Sequence, residues 1–404
     1  MSTTHLKSRV WAEIDNLQAE AVDIAKDIHA HPELGWDTPR SAGLLMDYME
    51  KHGMNVERGI ADIPVAFRSS IKGRDDSGTG VALLAEYDAL PELGHACSHN
   101  LIGTIAATAG IALSRVLGPE IAGNVYVMGC PYEEGGAGKV YLLDRGVFDP
   151  ADISIMWHGA NKVRVGNPNI ASGRFTLTFH GKPAHSGQAP HLGVNAADAA
   201  MLTFAGINAL RQHVTPDCRI SGFIKHGGAA ANVTPDLAVA VMQTRAMHLE
   251  DVLALRERVY NCARGAALMT GCTLEIEEVP VYANRLIVES LREVVMDNMP
   301  ELGVTPPTDD AQSFASADSG NVSQKIPHVT FSLPVDNKGS VPHTAAFAEA
   351  CNSEMGYEAM ITAAKIMAAT AIDLLSDPER VEKIKAEHAA IKAARAAEVA
   401  AAAA

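Results

Sequence analysis

The 404-residue sequence lacks several familiar signatures, and each absence removes a class of function. No stretch approaches the roughly eighteen uninterrupted apolar residues that a membrane span requires. The opening Met1-Ser2-Thr3-Thr4-His5-Leu6-Lys7 is too polar for a secretory signal, so a cytoplasmic protein with no membrane partner is expected. Cysteine is sparse. The six (Cys97, Cys130, Cys218, Cys262, Cys272, Cys351) lack the dense spacing of a disulfide framework, which suits a reducing compartment and buried thiols. Positive charge is in deficit, with 33 Lys and Arg against 48 Asp and Glu for a net charge of −15, and no basic cluster stands out. That excludes a nucleic-acid partner and leaves small substrates. The stretch Gly135-Gly136-Ala137-Gly138-Lys139 hints at a phosphate loop but fails, because position 133 is not Gly and Val140 stands where Ser or Thr would hold magnesium.

What is present is a globular chain, 47% hydrophobic and 20% charged, long enough for two or three domains. Val10, Ile14, Leu17, Ala21, Ile24 and Ile28 form an apolar stripe on a 3.6-residue period, which predicts a first helix packed on a sheet. Short, nearly continuous apolar runs recur at 81–85, 125–130, 153–157 and 329–333, mostly separated by helical patterns such as 101–117. Strands buried on both faces and alternating with helices predict an α/β domain, mainly parallel, with helices on both faces of the sheet. The pattern changes over 169–281. Phe175, Leu177 and Phe179 alternate on one face, Val239 and Val241 mark a second strand, and helices are expected near 195–212 and 249–268. The expected organisation is therefore a discontinuous outer domain, 1–168 and 282–404, carrying an inserted α+β domain, 169–281. The Ala-, Lys- and Glu-rich tail from 378 to 404 reads as a fraying terminal helix without chemistry.

The reactive residues follow the buried strands. Cys97-Ser98-His99 comes after 81–85 and Asp88, Glu133-Glu134 after 125–130, His158 directly after 153–157, and His343 after 329–333. Open α/β sheets gather ligands at the carboxyl ends of their strands, so four strands aim at one place. A thiolate and an imidazole two residues apart, with a carboxylate pair to offer one ligand and one base, suit metal-assisted hydrolysis. The plainer alternatives are a small buried hydrophobe for Cys97, a solvated loop for the glutamates, and structural or surface roles for His158 and His343. Asp88 is placed to fix a ligand histidine. His95, His191 and His226 remain candidates for the surroundings of the pocket, and Met128, Met156 and Met242 for the core.

The chain resembles the M20 metallopeptidases and amidohydrolases, in the branch of aminoacylases and aminobenzoyl-glutamate hydrolases. The resemblance rests on His31-Pro32-Glu33-Leu34-Gly35, Tyr87-Asp88-Ala89-Leu90-Pro91, Cys97-x-His99, Glu133-Glu134-Gly135-Gly136 and Gly181-Lys182-Pro183-Ala184-His185-Ser186. It continues through Gly227-Gly228 and Asn232-Val233-Thr234-Pro235 to His343-Thr344. It implies a catalytic α/β domain binding one or two divalent ions per subunit, Zn²⁺ or Mn²⁺, and a lid domain that builds a homodimer. It makes Cys97, His99, Glu134, His158 and His343 the metal ligands and Glu133 the general acid and base. His185 and Asn232 would hold the substrate carbonyl, the histidine reaching across the dimer, and Arg245 would grip a substrate carboxylate. The branch has Gly and Asp where Ser98 and Asn100 stand, Asn being familiar in the aminobenzoyl-glutamate-like members. Asp318 takes a typical acidic position, and Ala345 replaces a frequent Pro or Arg. The expected activity is hydrolysis of an amide C–N bond in a small N-acyl amino acid, dipeptide or aryl-amide. Hydrolytic deamination of a small aromatic acid at the same site is the nearer rival, and a small-molecule binding protein without turnover the more distant one.

Overall fold

The computed structural model of the chain describes residues 2–74, 78–118, 121–308 and 313–403; Ala404, the end of the tail, lies outside them. The chain opens with helices α1 (Thr3–Ala30) and α2 (Pro39–Lys51), then strands β1 (Val56–Arg58), β2 (Phe67–Lys72) and β3 (Gly80–Ala85). Helix α3 (His99–Val116), β4 (Asn124–Gly129), α4 (Gly138–Asp144), β5 (Ile153–Trp157) and β6 (Arg164–Val165) follow. Next come β7 (Ala171–His180), α5 (Ala196–Leu210), β8 (Arg219–His226), β9 (Leu237–Ala246), α6 (Leu249–Thr270) and β10 (Thr273–Glu278). The chain closes with α7 (Glu289–Asp297), α8 (Ser319–Lys325), β11 (His328–Ser332), α9 (Ala345–Ala350), α10 (Glu354–Ser376) and α11 (Pro378–Ala403).

These elements form two compact units, one of Met1–Pro168, Arg285–Ser313 and Asn321–Ala404, the other of Asn169–Asn284 with Phe314–Gly320. The first unit holds a sheet in the order β1-β2-β4-β3-β5-β11-β6. Its four inner strands β4, β3, β5 and β11 are parallel, as the unbroken apolar runs predict, and antiparallel strands flank them on both sides. Every residue of β3, β5 and β11 is buried, so neither face of these strands meets solvent, and β11 carries His328, Thr330 and Ser332 along one buried face.

Helices α1, α3 and α10 pack on one another, and α3 and α10 lie against β3 and β5. The stripe of α1 runs Leu6, Val10, Ile14, Leu17, Ala21, Ala25, Ile28. Ala25 is fully buried where the sequence pattern counts Ile24, which sits at the edge of the core. Helix α10 is long and apolar enough to cross a membrane, yet most of it is buried in this core, which explains its composition. The tail helix α11 does not fray throughout: Val381, Ile384 and His388 are buried, and His388 Nε2 hydrogen-bonds Ser323 O.

The second unit is an antiparallel sheet in the order β10-β7-β9-β8, with α5 and α6 on one face. Phe175, Leu177 and Phe179 of β7 face those helices as expected. Val239 and Val241 lie on a second strand, β9, as expected. Ala238, Ala240 and Met242 are the buried residues and Val239 and Val241 lie on the half-buried face, because small side chains let α5 and α6 approach the sheet closely. Asn195 starts α5 by accepting from Ala197 N and Asp198 N. The segment Phe314–Gly320 is held within this unit by Ile170 N donating to Ala315 O.

Helix α3 sets the position of the chemistry in the first unit, because it begins at His99 and is buried along nearly its whole length. A Cβ on Gly103 would stand 2.7 Å from Leu45 Cδ1 and 2.8 Å from the carbonyl oxygen of Glu86, so only glycine lets α3 dock this tightly on the end of β3. Replacing a helical Gly by Ala normally stabilises by about 1 kcal/mol. Gly103→Ala should do the reverse and lower the denaturant midpoint, because the Glu86 carbonyl is backbone that cannot turn aside.

Candidate metal centre

The carboxyl ends of β3, β4, β5 and β11 and the loops that follow them supply the residues of one cluster in the first unit. Cys97 and His99 flank Ser98 at the start of α3. Ser98 sits at φ +64°, the turn that swings both side chains toward the sheet ends. Glu133 and Glu134 follow β4 after Tyr132, another residue at positive φ, and His158 is the first residue beyond β5. His343 lies in the loop after β11, where its N–H donates to Ala96 O and ties it beside Cys97.

Three sets of three donors result, two of which share one sulfur, while His99, Glu133 and Glu134 form the third. Cys97, His99 and His158 form the first and Cys97, Glu134 and His343 the second, with all donor atoms of each set within 4.8 Å of one another. Cys97 Sγ is 3.3 Å from His158 Nε2 and 3.4 Å from His343 Nε2, and His343 Nε2 is 3.5 Å from Glu134 Oε1. Glu133 is buried, with Oε2 3.9 Å from His99 Nε2.

The supporting hydrogen bonds aim these donors. Asp88 Oδ1 lies 3.2 Å from His99 Nδ1, while its Oδ2 accepts from Glu134 N at 2.9 Å, so one carboxylate orients two members of the cluster. His158 Nδ1 lies 2.8 Å from Gly159 O, which assigns the proton to Nδ1 and leaves the Nε2 lone pair facing Cys97.

The donor set fits a divalent cation. His99 Nε2 and Glu134 Oε1 are buried without a hydrogen-bond partner, and so is Glu86 Oε2. Burial and the charges of Glu134 and Glu133 push the Cys97 thiol well above its usual pKa. Burial works to lower the pKa of His99, but the Asp88 hydrogen bond and the charges of Glu86, Asp88 and Glu134 outweigh it and push it up to about 10. His158, where burial dominates, falls to about 4. A bound cation relieves all of this, because it ionises a coordinating thiol and offsets the buried carboxylates.

Two of the three departures from the pattern that the resemblance implies, Ser98 and Asn100, have structural reasons. Ser98 is fully buried; its hydroxyl donates to Cys97 O and accepts from Gly159 N at 2.9 Å, joining the Cys97–His99 turn to the residue after His158. Space for it exists because position 159 is glycine, where a Cβ would come within 2.8 Å of Ser98. Asn100 donates its amide to Ala25 O and Cys351 O, a pair of acceptors that an ionised Asp could not serve.

His185 and Asn232 belong to the second unit and lie together: His185 bridges Val233, and Ser186 N donates to Asn232 O. His185 Nδ1 accepts from Gly187 N and Gln188 N, which leaves Nε2 as the outward donor on an exposed ring. Arg245 is near the far end of β9, its Nη1 donating to Phe314 O and Ser316 Oγ. Burial and the neighbouring Arg174 lower its pKa. Eight residues of extended strand separate Arg245 from Leu237, the end of β9 nearest His185, about 26 Å at roughly 3.3 Å per residue. His95 is buried beside His29, whereas His191 and His226 are exposed. Asp318 is fully buried.

Residues 165–268 match the peptidase dimerisation domain of the M20 type. Over nearly its full length the chain is 33% identical to the Xaa-Arg dipeptidase of Mus musculus, covering 95% of this chain and 92% of the relative. The chain belongs to the M20 family. It is also 30% identical to a p-aminobenzoyl-glutamate hydrolase component of Escherichia coli, over 91% of each chain. In fold it matches a dinuclear metal-binding M20 peptidase of Bacillus subtilis, at 21% identity and a TM-score of 0.66 over 90% of this chain and 99% of that one. The M20 chain is thus a metal-dependent hydrolase acting on C–N bonds.

Sequence reasoning passed over Glu86 and misplaced the interest of Lys139. Glu86 ends a wholly apolar strand two residues before Asp88, a readable signal, but its buried ion pair with Lys139 joins residues 53 positions apart and has no local signature. Ser98→Ala in this M20 chain leaves the buried Gly159 N–H without its acceptor, at a cost of about 1–3 kcal/mol. A lower melting temperature together with weaker metal retention against a chelator is the expected result.

Proposed function

We propose that this chain cleaves the amide bond of a small N-acyl amino acid, dipeptide or aryl-amide carrying a free carboxylate, using two divalent ions. The observation that carries the reading is the pair of donor sets sharing Cys97 with Glu133 buried alongside. Cys97, His99 and His158 would hold one ion, and Cys97, Glu134 and His343 the other. Thiolate and imidazole suit Zn²⁺ and the carboxylates suit Mn²⁺, so these are the two candidates. Bound there, such ions supply Lewis acidity, which acidifies water and polarises an amide carbonyl.

The chain's own residues perform the remaining steps. Glu133 takes the proton of the attacking water and returns it to the amine nitrogen as the C–N bond breaks. His185 Nε2–H and the Asn232 amide donate to the carbonyl oxygen as negative charge develops on it. Arg245, its plane fixed through Nη1, offers its remaining edge to the carboxylate in bidentate fashion. A free carboxylate is common to dipeptides and to p-aminobenzoyl-glutamate, the substrates in the names of the relatives.

The separation of His185 and Asn232 from Arg245 along β9 supports a homodimer in which the histidine serves the partner's site. Of the lid's two sheet edges, β10 is guarded by Glu275, Glu277 and Glu278, whereas β8 exposes Phe223 and Ile224. An unguarded apolar edge is one that pairs with another strand. Six free cysteines support a reducing, cytoplasmic location.

Mass-spectrometric product analysis of the metal-reconstituted protein with acyl amino acids, dipeptides and aryl-amides tests the reaction. An acid plus an amine is expected, lost on chelation, whereas ammonia alone would mean deamination, and bound metal without turnover a binding protein. Glu133→Gln should lower kcat by at least about 10²-fold with the metal content unchanged; retained turnover would remove Glu133 from its role. Phe223→Lys combined with Ile224→Asp should shift the sedimenting species from dimer to monomer and depress activity with it.

A further inference from the structure

Glu86 and Lys139 are an ion pair sealed in the first unit, with side chains 1% and 0% exposed. A buried pair of this kind is a poor source of stability, since apolar residues of similar volume often do as well or better. Its geometry points elsewhere. Lys139 Nζ engages only Oε1 of the carboxylate in the contacts that define the pair, and Oε2 is turned away, buried and without a hydrogen-bond partner. That oxygen lies 3.4 Å from His99 Nε2, the ring nitrogen that Asp88 leaves free and that is equally without a hydrogen-bond partner.

Two donors about 2.1 Å from one ion and subtending roughly 90–110° stand about 3.0–3.4 Å apart. The spacing of Glu86 Oε2 and His99 Nε2 is therefore that of two ligands of a single cation. Glu86 has Oε1 held by Lys139, which sets the carboxylate with Oε2 toward His99. Its backbone is also fixed, by the close approach of Gly103 to its carbonyl oxygen.

We propose that Glu86 is a further carboxylate donor of the metal centre, on the His99 side, and that Lys139 is the positioning residue that holds it there. This rests on the metal-hydrolase reading above. It adds a carboxylate oxygen facing His99 to that side of the centre, outside the donor sets that share Cys97, and it assigns the buried Lys139 a purpose that the phosphate-loop pattern around it does not.

The test is metal affinity rather than turnover. Wild-type protein and Glu86→Gln are stripped, reloaded with Zn²⁺ or Mn²⁺, and compared by chelator competition and elemental analysis, with melting curves of the metal-free and metal-loaded forms. Glu86→Gln should bind one of the two equivalents at least about tenfold more weakly, with a smaller gain in melting temperature on loading. A folded Glu86→Gln that binds both equivalents with wild-type affinity overturns the proposal, as does a loss confined to the melting temperature of the metal-free form, the mark of a packing role. Should Glu86→Gln fail to fold, Glu86→Asp keeps the charge while withdrawing the oxygen by one methylene, and the same loss of affinity is expected; unchanged affinity overturns the proposal there too. Wild-type protein that binds no divalent ion and cleaves no amide would sink the hydrolase reading itself, whereas metal-binding, active wild type with an unaltered Glu86→Gln sinks only the role of Glu86.

Discussion

Concentrated buried negative charge around a single thiol is the constraint from which the catalytic unit is built. Glu86, Asp88 and Glu133 are each buried, Glu134 nearly so, and Cys97 stands among them. Lys139, Arg285 and the imidazoles offset part of this charge, and the atoms His99 Nε2, Glu134 Oε1 and Glu86 Oε2, which have no hydrogen-bond partner, mark where a cation would add to the compensation. Unmatched buried carboxylates are costly enough that such an arrangement survives in a folded chain only if something cationic completes it. The folding of this region and its capacity to hold metal are thus two aspects of one balance.

The parallel strands supply the means of concentrating that charge. β3, β5 and β11 are buried throughout, with the polar residues inside them, Ser154, His328 and Thr330, bonded to one another, so the remaining polar groups gather beyond strand ends that all lie on the same side of the sheet. The turns there are tightened by positive φ at Ser98, Tyr132 and His343, backbone conformations that other contacts must hold in place. For Ser98 those contacts are visible: a hydroxyl shared between Cys97 O and Gly159 N, over a glycine that leaves it room. The Ser98 hydroxyl thus fastens the Cys97–His99 turn to the residue after His158.

The second unit obeys different physics. One face of its antiparallel sheet is covered by α5 and α6, and small residues on β9 let those helices close down on Phe175, Leu177 and Phe179. The same regular strand keeps Arg245 far from His185 and Asn232. One copy of this unit keeps the three far apart, and the proposed dimer rests on the length of a strand as much as on its exposed edge.

Much of this was legible without coordinates, because period and order survive in one dimension. Nearly continuous apolar runs announced buried parallel strands, the alternation of Phe175, Leu177 and Phe179 announced a half-covered sheet, and the positions of Cys97, His99, Glu133, Glu134, His158 and His343 after such runs announced that these side chains would lie together. Ala25 in place of Ile24, and the burial of Ala238 and Ala240, went unread because burial is decided by what packs opposite, and a small side chain is chosen when the neighbour comes close. Glu86 with Lys139, the hydroxyl of Ser98 on Gly159, and the shared sulfur of Cys97 were decided only in three dimensions. The sequence determined which groups lie at the strand ends; tertiary structure alone decided which of their atoms face one another, since distances across strand ends depend on sheet order, and sheet order leaves no mark on local sequence.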